Sequence, residues 1–301
     1  MTLNPRIDGA GERSVSVLVV AHHERPEAAD LARSAAEWLA ARGHDTWMVP
    51  EDAKSIDVPE LASRRPVDDA SLVLSLGGDG TTLRAVDLVS RVGIPVLGVN
   101  VGLLGYLNEI EPPAMLEALG GFLAGQHTIE ERMLLEVTVR RWRDDSRYDA
   151  ERALSALNDV VVERDEPGHT IRIRVHIDGA GFIAYAADGL IVATPTGSTA
   201  YSLSARGPIV SPRHRALLVT PVSPHMLFDR SLVLDPTESV ELELLGHRHA
   251  GLSIDGRRGG VLRERDVVAC RASDTPARLV RFPGARPFHQ ILKSKFGLTD
   301  R

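Results

Sequence analysis

The chain has one cysteine, Cys270, in 301 residues. Neither an intrachain disulfide nor a cysteine-rich zinc site can be built from it, and a reducing compartment is expected. Basic excess is also missing. With 35 Lys and Arg against 41 Asp and Glu, the formal net charge is -6 and both signs are interspersed, which gives no footprint for nucleic acid. Long apolar runs are absent as well: Val15 to Ala21 is too short to span a bilayer and runs into His22, His23 and Glu24 without a small-residue cleavage site. It reads as a first strand, and the protein as cytoplasmic with no membrane partner. No internal repeat or low-complexity tract breaks the sequence. Small molecules and further copies of the chain are the partners left to expect.

A hydrophobic content of 43% supplies cores for one large or two ordinary domains. After a polar terminus through Arg13, the strand at Val15 leads to apolar positions Ala28, Leu31, Ala32, Ala35 and Leu39 at helical spacing, starting from Pro26. Short strands follow around Thr46, Ser71 to Leu76 and Pro95 to Val99, with a helix over Thr82 to Val89. Such alternation predicts a parallel sheet covered on both faces. Past a helix beginning at Pro112 the period changes to two: Leu135, Val137 and Val139, then Ile171, Ile173, Val175 and Ile177, alternate with polar residues. Asp178 to Gly181 and Asp255-Gly256 read as hairpin turns. The expected organisation is an α/β domain over 14–128 and a β-rich domain over 129–282, with 283–301 packing back on the first.

Three segments carry chemistry. Ser75 to Arg84 reads SLGGDGTTLR. Its glycines, Gly77, Gly78 and Gly80, permit close backbone approach, and the helix after them turns free N–H groups toward the loop, which makes a phosphate cradle. No Lys-Ser/Thr pair follows, so it is not a Walker loop, and it lacks the G-x-G-x-x-G fingerprint. Without that lysine, Mg²⁺ together with Arg84 is expected to neutralise the phosphates. Asp79 between the glycines has three readings from the residues alone: a local turn or helix cap, an acceptor for a hydroxyl proton, or a metal ligand.

The second segment, Asp188 to Ser204, reads DGLIVATPTGSTAYSLS. Its hydroxyls and backbone groups suit a sugar or base; the competing reading is a polar strand-to-helix loop capped by Ser198 or Thr199. The third, Asn158-Asp159, could chelate vicinal ribose hydroxyls or simply form a turn. No G-x-S-x-G elbow anchors a hydrolase triad, and His247 and His249 have no third metal ligand in view.

LGGDGTTLRA, GVNVGLLGYL, LND, DGLIVATPTGSTAYSLS, VTPVSPHML and RSLVL, in that order, resemble the NAD kinase family. The resemblance implies a Rossmann-like α/β domain of the GGDG kinase type joined to a β-rich NAD-binding domain. It implies transfer of the γ-phosphoryl group of ATP, or of polyphosphate, to the 2′-hydroxyl of the adenosine ribose of NAD or NADH, with Mg²⁺ or another divalent cation. Asp79 takes the place of the catalytic aspartate. Asn158, Asp159, Asp188, Thr196 and Thr199, Ala200, Tyr201, Ser202, Leu203 and Ser204 take those of nucleotide contacts, with Arg84, Tyr106 and His169 as further ones. A homodimer or homotetramer is implied. The sequence departs from the family at Arg206, where a glycine is usual, and at Ala186 and Ala187, where many members carry an arginine. A lipid or sphingoid kinase sharing the GGDG loop is the enzyme alternative, and a non-catalytic dinucleotide sensor the alternative of another class.

Overall fold

The computed structural model describes residues 14–102, 105–143, 148–150, 153–166 and 168–298. The polar start of the chain through Arg13, and Leu103 and Leu104 of the second glycine-rich segment, lie outside them. The strands in chain order are β1 (Ser16–Ala21), β2 (Asp45–Trp47), β3 (Leu72–Gly77), β4 (Val96–Asn100), β5 (Thr128–Arg132), β6 (Leu135–Trp142), β7 (Tyr148–Ala150), β8 (Leu154–Ala156), β9 (Asp159–Arg164), β10 (Ile171–Ile177), β11 (Ala180–Ala187), β12 (Gly189–Ala193), β13 (Leu217–Val222), β14 (Leu232–Leu234), β15 (Ser239–Leu245), β16 (Ala250–Ile254), β17 (Arg257–Leu262), β18 (Val267–Ala272) and β19 (Ala277–Arg281). The helices are α1 (Pro26–Ala40), α2 (Pro50–Ser55), α3 (Asp79–Val89), α4 (Met115–Leu123), α5 (Tyr201–Ser204) and α6 (Phe288–Lys295).

Two compact units divide the chain. The first holds the described residues up to Ala85, Ile94–Thr128 and Val280–Pro283; the second holds Val86–Gly93, Ile129–Leu279 and the described residues from Gly284. The described residues from Gly284 on, with helix α6, thus group with the second unit.

In the first unit, Val17 to Val20 and Leu72 to Leu74 have no exposed surface, as strands covered on both faces require. Within this unit the sheet runs β2-β1-β3-β4, all four strands parallel. Helix α1 starts on Pro26 and buries Ala28, Ala32, Ala35 and Leu39, one stripe of its surface. Because β1 is flanked by β2 on one side and β3 on the other, the carboxyl ends of β1 and β3 form a topological switch point, where open parallel sheets place their ligands. His22 and the GGDG loop stand at those two ends.

The second unit is built on two antiparallel sheets, β11-β10-β15-β18-β6-β7, with β8 also on β6, and β14-β13-β12-β9-β16-β17. Inward residues of β6, β10 and β15 (Val137, Ile173, Leu242) share one core with Val160, Val192, Val219 and Leu252 of the other sheet. The central strands β9 and β12 also bury their opposite face, Val161, Ile191 and Ala193, against Ala216 and Leu218. Burial on both sides explains why these two strands read as unbroken apolar runs while β6, β10 and β15 alternate. Both Asp-Gly pairs turn hairpins with positive φ at each residue, 49° and 75° at Asp178 and Gly179, 48° and 72° at Asp255 and Gly256, the pattern that matches strand twist.

Candidate functional site

In the first unit the site begins where β3 ends. Gly77 is buried, and a Cβ there would come 2.2 Å from Thr81 Oγ1, so only glycine lets α3 start this close to the strand. Helix α3 opens at Asp79, and the carbonyl of Gly78 accepts from the amides of Thr81 (3.1 Å) and Thr82 (3.2 Å). The Asp79 carboxylate turns to another segment. Oδ1 and Oδ2 accept the Tyr106 N–H at 3.1 and 2.8 Å, and Oδ1 accepts the Leu107 N–H at 3.0 Å. Gly105 makes this possible, since a Cβ there would stand 2.0 Å from Asp79 Oδ1. Beneath lies a buried chain: Ser75 Oγ meets Thr82 Oγ1 at 3.0 Å, Thr82 Oγ1 donates to Asn108 Oδ1 at 2.6 Å, and Asn108 Nδ2 donates to the Gly77 carbonyl at 2.8 Å. That chain ties strand, helix and the 105–108 segment into one support for the half-buried carboxylate.

Arg84 has a partner already. Its guanidinium pairs with Asp52 at 2.7 Å and donates to the Ala21 carbonyl at 2.7 Å, so helix α2, unforeseen in the sequence, supplies the anion. Burial raises the Asp52 carboxyl above its ordinary value, and Arg84 works against that. The Tyr106 hydroxyl is raised by burial and then by the Asp79 charge. His22 packs its Cβ beside Gly77, and its ring is lowered by burial first and by Arg25 next.

The second unit brings together most of the remaining expected residues. The segment 157–159 is held on its amide side by Asp255: Oδ2 accepts the Leu157 N–H at 2.9 Å, and Oδ1 accepts those of Asn158 at 2.7 Å and Asp159 at 3.2 Å. On its carbonyl side, Leu157 accepts from Thr194 Oγ1 at 2.5 Å and Asn158 from the Thr194 amide at 2.9 Å. Gly197 leans on the same segment so closely that a Cβ would lie 2.0 Å from the Asn158 carbonyl oxygen. The Asn158 side-chain amide, half-buried, makes no hydrogen bond to any described residue. Asp159 is 4% exposed and receives the Tyr201 amide; burial, then the Asp255 charge, push its carboxyl up to about 7.

Other expected residues take different positions. Thr196 is buried and receives Arg132 Nη1 at 3.3 Å. Thr199 Oγ1 bonds the Thr196 carbonyl at 3.2 Å. Ser202 is fully buried against Thr220 at 3.2 Å and crowds Gly207, which makes it a structural hydroxyl. Leu203 is partly buried, while Ser204 and His169 are exposed. Tyr201 is 39% exposed, and its hydroxyl is raised by burial and then by Glu163 and Asp188. Ala186 and Ala187 precede Asp188, and its cation comes from Arg164 at 2.9 Å. Arg206 adopts φ 67°, the left-handed conformation that suits a glycine there, and its side chain points to solvent. Sequence reading missed Arg132 and Asp255, the first for want of any motif, the second because Asp-Gly already had an explanation as a turn.

A glycine loop feeding a helix from a parallel strand in one unit, and a β sandwich carrying a half-buried amide and a buried carboxyl in the other, are the parts of a nucleotide phosphotransferase. Models of the ATP-NAD kinase N-terminal and C-terminal domains match residues 17–127 and 157–282. The NAD kinase of Heliobacterium modesticaldum is 43% identical over 93% of this chain and 98% of its own. The chain belongs to the ATP-NAD kinase family. Among solved structures, yeast NADH kinase complexed with NADH superposes with TM-score 0.85 at 23% identity, covering 96% of this chain and 89% of that one. An NAD kinase from Archaeoglobus fulgidus in complex with ATP gives 0.68 at 21%, covering 95% and 98%. At these identities the likeness is one of fold. No described helix is long and apolar enough to cross a membrane.

Proposed function

We propose that this member of the family phosphorylates NAD or NADH on the 2′-hydroxyl of the adenosine ribose, drawing the γ-phosphoryl group from ATP or polyphosphate, with Asp79 as proton acceptor. The observation that carries the role of Asp79 is its restraint: the Tyr106 and Leu107 amides bond its oxygens and Gly105 clears the space they need. A carboxylate has about four lone-pair directions, so capacity remains for a ribose hydroxyl. In the reaction the 2′-oxygen bonds to the γ-phosphorus, the bond to the β-phosphate bridging oxygen breaks, ADP leaves, and the hydroxyl proton passes to Asp79. Gly77, Gly78 and Gly80 offer backbone to the donor phosphates. Asn158, Thr199, Ala200 and Tyr201 line the acceptor side, with Asp159, Asp188 and Thr196 behind them.

Mg²⁺ bound by the ATP phosphates, with Asp79 as the neighbouring carboxylate, would supply charge neutralisation. Arg84, already paired with Asp52, contributes positive field at the loop. A homodimer or homotetramer completes the reading, testable by light scattering of the purified protein.

The test is product analysis with Mg²⁺, crossing NAD and NADH against ATP and polyphosphate, with Asp79→Asn in parallel. NADP or NADPH formed by the wild type and reduced at least 100-fold in the variant is expected. Equal product from the variant would overturn the role of Asp79. Binding of NAD with no product from the wild type would favour the sensor.

A further inference from the structure

Asp159 opens β9, paired with Ala193, but Leu157 and Asn158 before it form a short irregular link from β8 with no sheet partner to fix it. Its backbone is nonetheless almost fully bonded. Three consecutive amides converge on one carboxylate, that of Asp255, at 2.7 to 3.2 Å. Two successive carbonyls, of Leu157 and Asn158, meet the hydroxyl and amide of Thr194, and the Asp159 carbonyl receives the Asp255 amide at 2.9 Å. Asp255 itself is held in the left-handed region, φ 48°, by the hairpin between β16 and β17, whose first strand pairs with β9 through Ile254 and Val160. The register of two strands therefore sets where this carboxylate stands. With the backbone consumed, the side-chain amide of Asn158 is the polar group of this link left for a ligand.

We propose that Asp255 is a positioning residue for the acceptor nucleotide: by gathering the amides of Leu157, Asn158 and Asp159 it aims the Asn158 side chain at the bound NAD. The assignment rests on the reading above that Asn158 contacts the acceptor. Asp255 touches no reacting atom; it acts through the link. An aspartate is suited to this because both oxygens accept and neither donates. Asparagine, of the same shape, keeps Oδ1 for Asn158 and Asp159 but sets an NH₂ against the Leu157 N–H, so the link is pushed out of place without loss of volume.

The experiment measures KM for NAD, KM for ATP and kcat in wild type, Asp255→Asn, Asn158→Ala and the double variant, with urea midpoints to establish folding. Asp255→Asn is expected to raise KM for NAD about tenfold, while KM for ATP stays within twofold. In the Asn158→Ala background the same change is expected to do no more than twofold, because the group it positions is gone. A general structural role would move both KM values together, or act equally in both backgrounds, and either result overturns the assignment. If Asp255→Asn does not fold, Thr194→Val removes the hydroxyl that bonds the Leu157 carbonyl on the opposite side of the link, at nearly constant volume, and keeps the Thr194 amide on Asn158. Freeing the Leu157 carbonyl should give a smaller effect that is still acceptor-selective, again silent without Asn158, and an unselective effect overturns the proposal. Failure of the functional reading looks different: the wild type itself would form no NADP. Wild-type turnover with Asp255→Asn kinetically unchanged keeps that reading and removes Asp255 from it.

Discussion

Asp159 carries a buried acid whose cost should be visible in stability. It is 4% exposed, one amide, that of Tyr201, serves it, and its folded pKa stands near 7 against an ordinary 3.8. Burial raises Asp255 too, while three amides and the Arg257 charge work against that. Between pH 4 and 7 the folded state then binds more protons than the unfolded one, and stability falls as pH rises. The contribution is present in full below about pH 4, declines through the window and is gone above 7. Its full size is on the order of 4 kcal/mol. The perturbation is Asp159→Asn, which keeps the shape and cannot titrate. Urea unfolding at pH 5, 6, 7 and 8 gives wild-type stability minus variant stability. That difference should drop by about 2.5 kcal/mol from pH 5 to pH 8, most of it below 7. Groups elsewhere cancel in the subtraction. A flat difference would refute the buried proton, and one that grows with pH would mean that Asp159 is ionised and stabilised by its surroundings.

Gly105→Ala should reduce kcat by about 100-fold with the unfolding midpoint little changed, because a methyl there displaces the Asp79 carboxylate; steady-state kinetics beside a thermal melt checks it, and unaltered kcat would show that the carboxylate tolerates movement. Arg84→Ala leaves Asp52 largely buried without its cation and should cost about 2 to 3 kcal/mol in urea unfolding, with KM for ATP affected less than stability. The Cys270 thiol is 1% exposed and pushed up by burial to about 12, so a thiol reagent at pH 8 should label it at least 100-fold faster in denaturant than in the native protein.

The elements most legible in the sequence are those whose pattern reports a single local cause. β1 and β3 are read from unbroken apolar runs, α1 from its spacing after Pro26, and both hairpins from Asp-Gly, because burial on two faces, helical periodicity and left-handed φ each leave a mark within a few residues. Helix α2 leaves none: PEDAKS is six residues long and polar, and it holds its place by presenting Asp52 to Arg84, a pairing 32 positions apart. The same division runs through the candidate site. GGDG announces a loop against a helix, since glycine is the residue that fits there. That Asp79 is braced by residues 106 and 107 cannot be seen in those four letters, since the brace comes from a segment 27 positions on. Asp255 is the sharper case. Its hairpin role is complete in itself, so nothing in the sequence asks for a second role, yet the turn is what brings the carboxylate under the amides of 157–159. A residue that satisfies one local rule can be selected by a distant one. Such residues are found by asking where the backbone bonds of an irregular segment go, a question posed by Leu157-Asn158-Asp159 and answered almost 100 residues later.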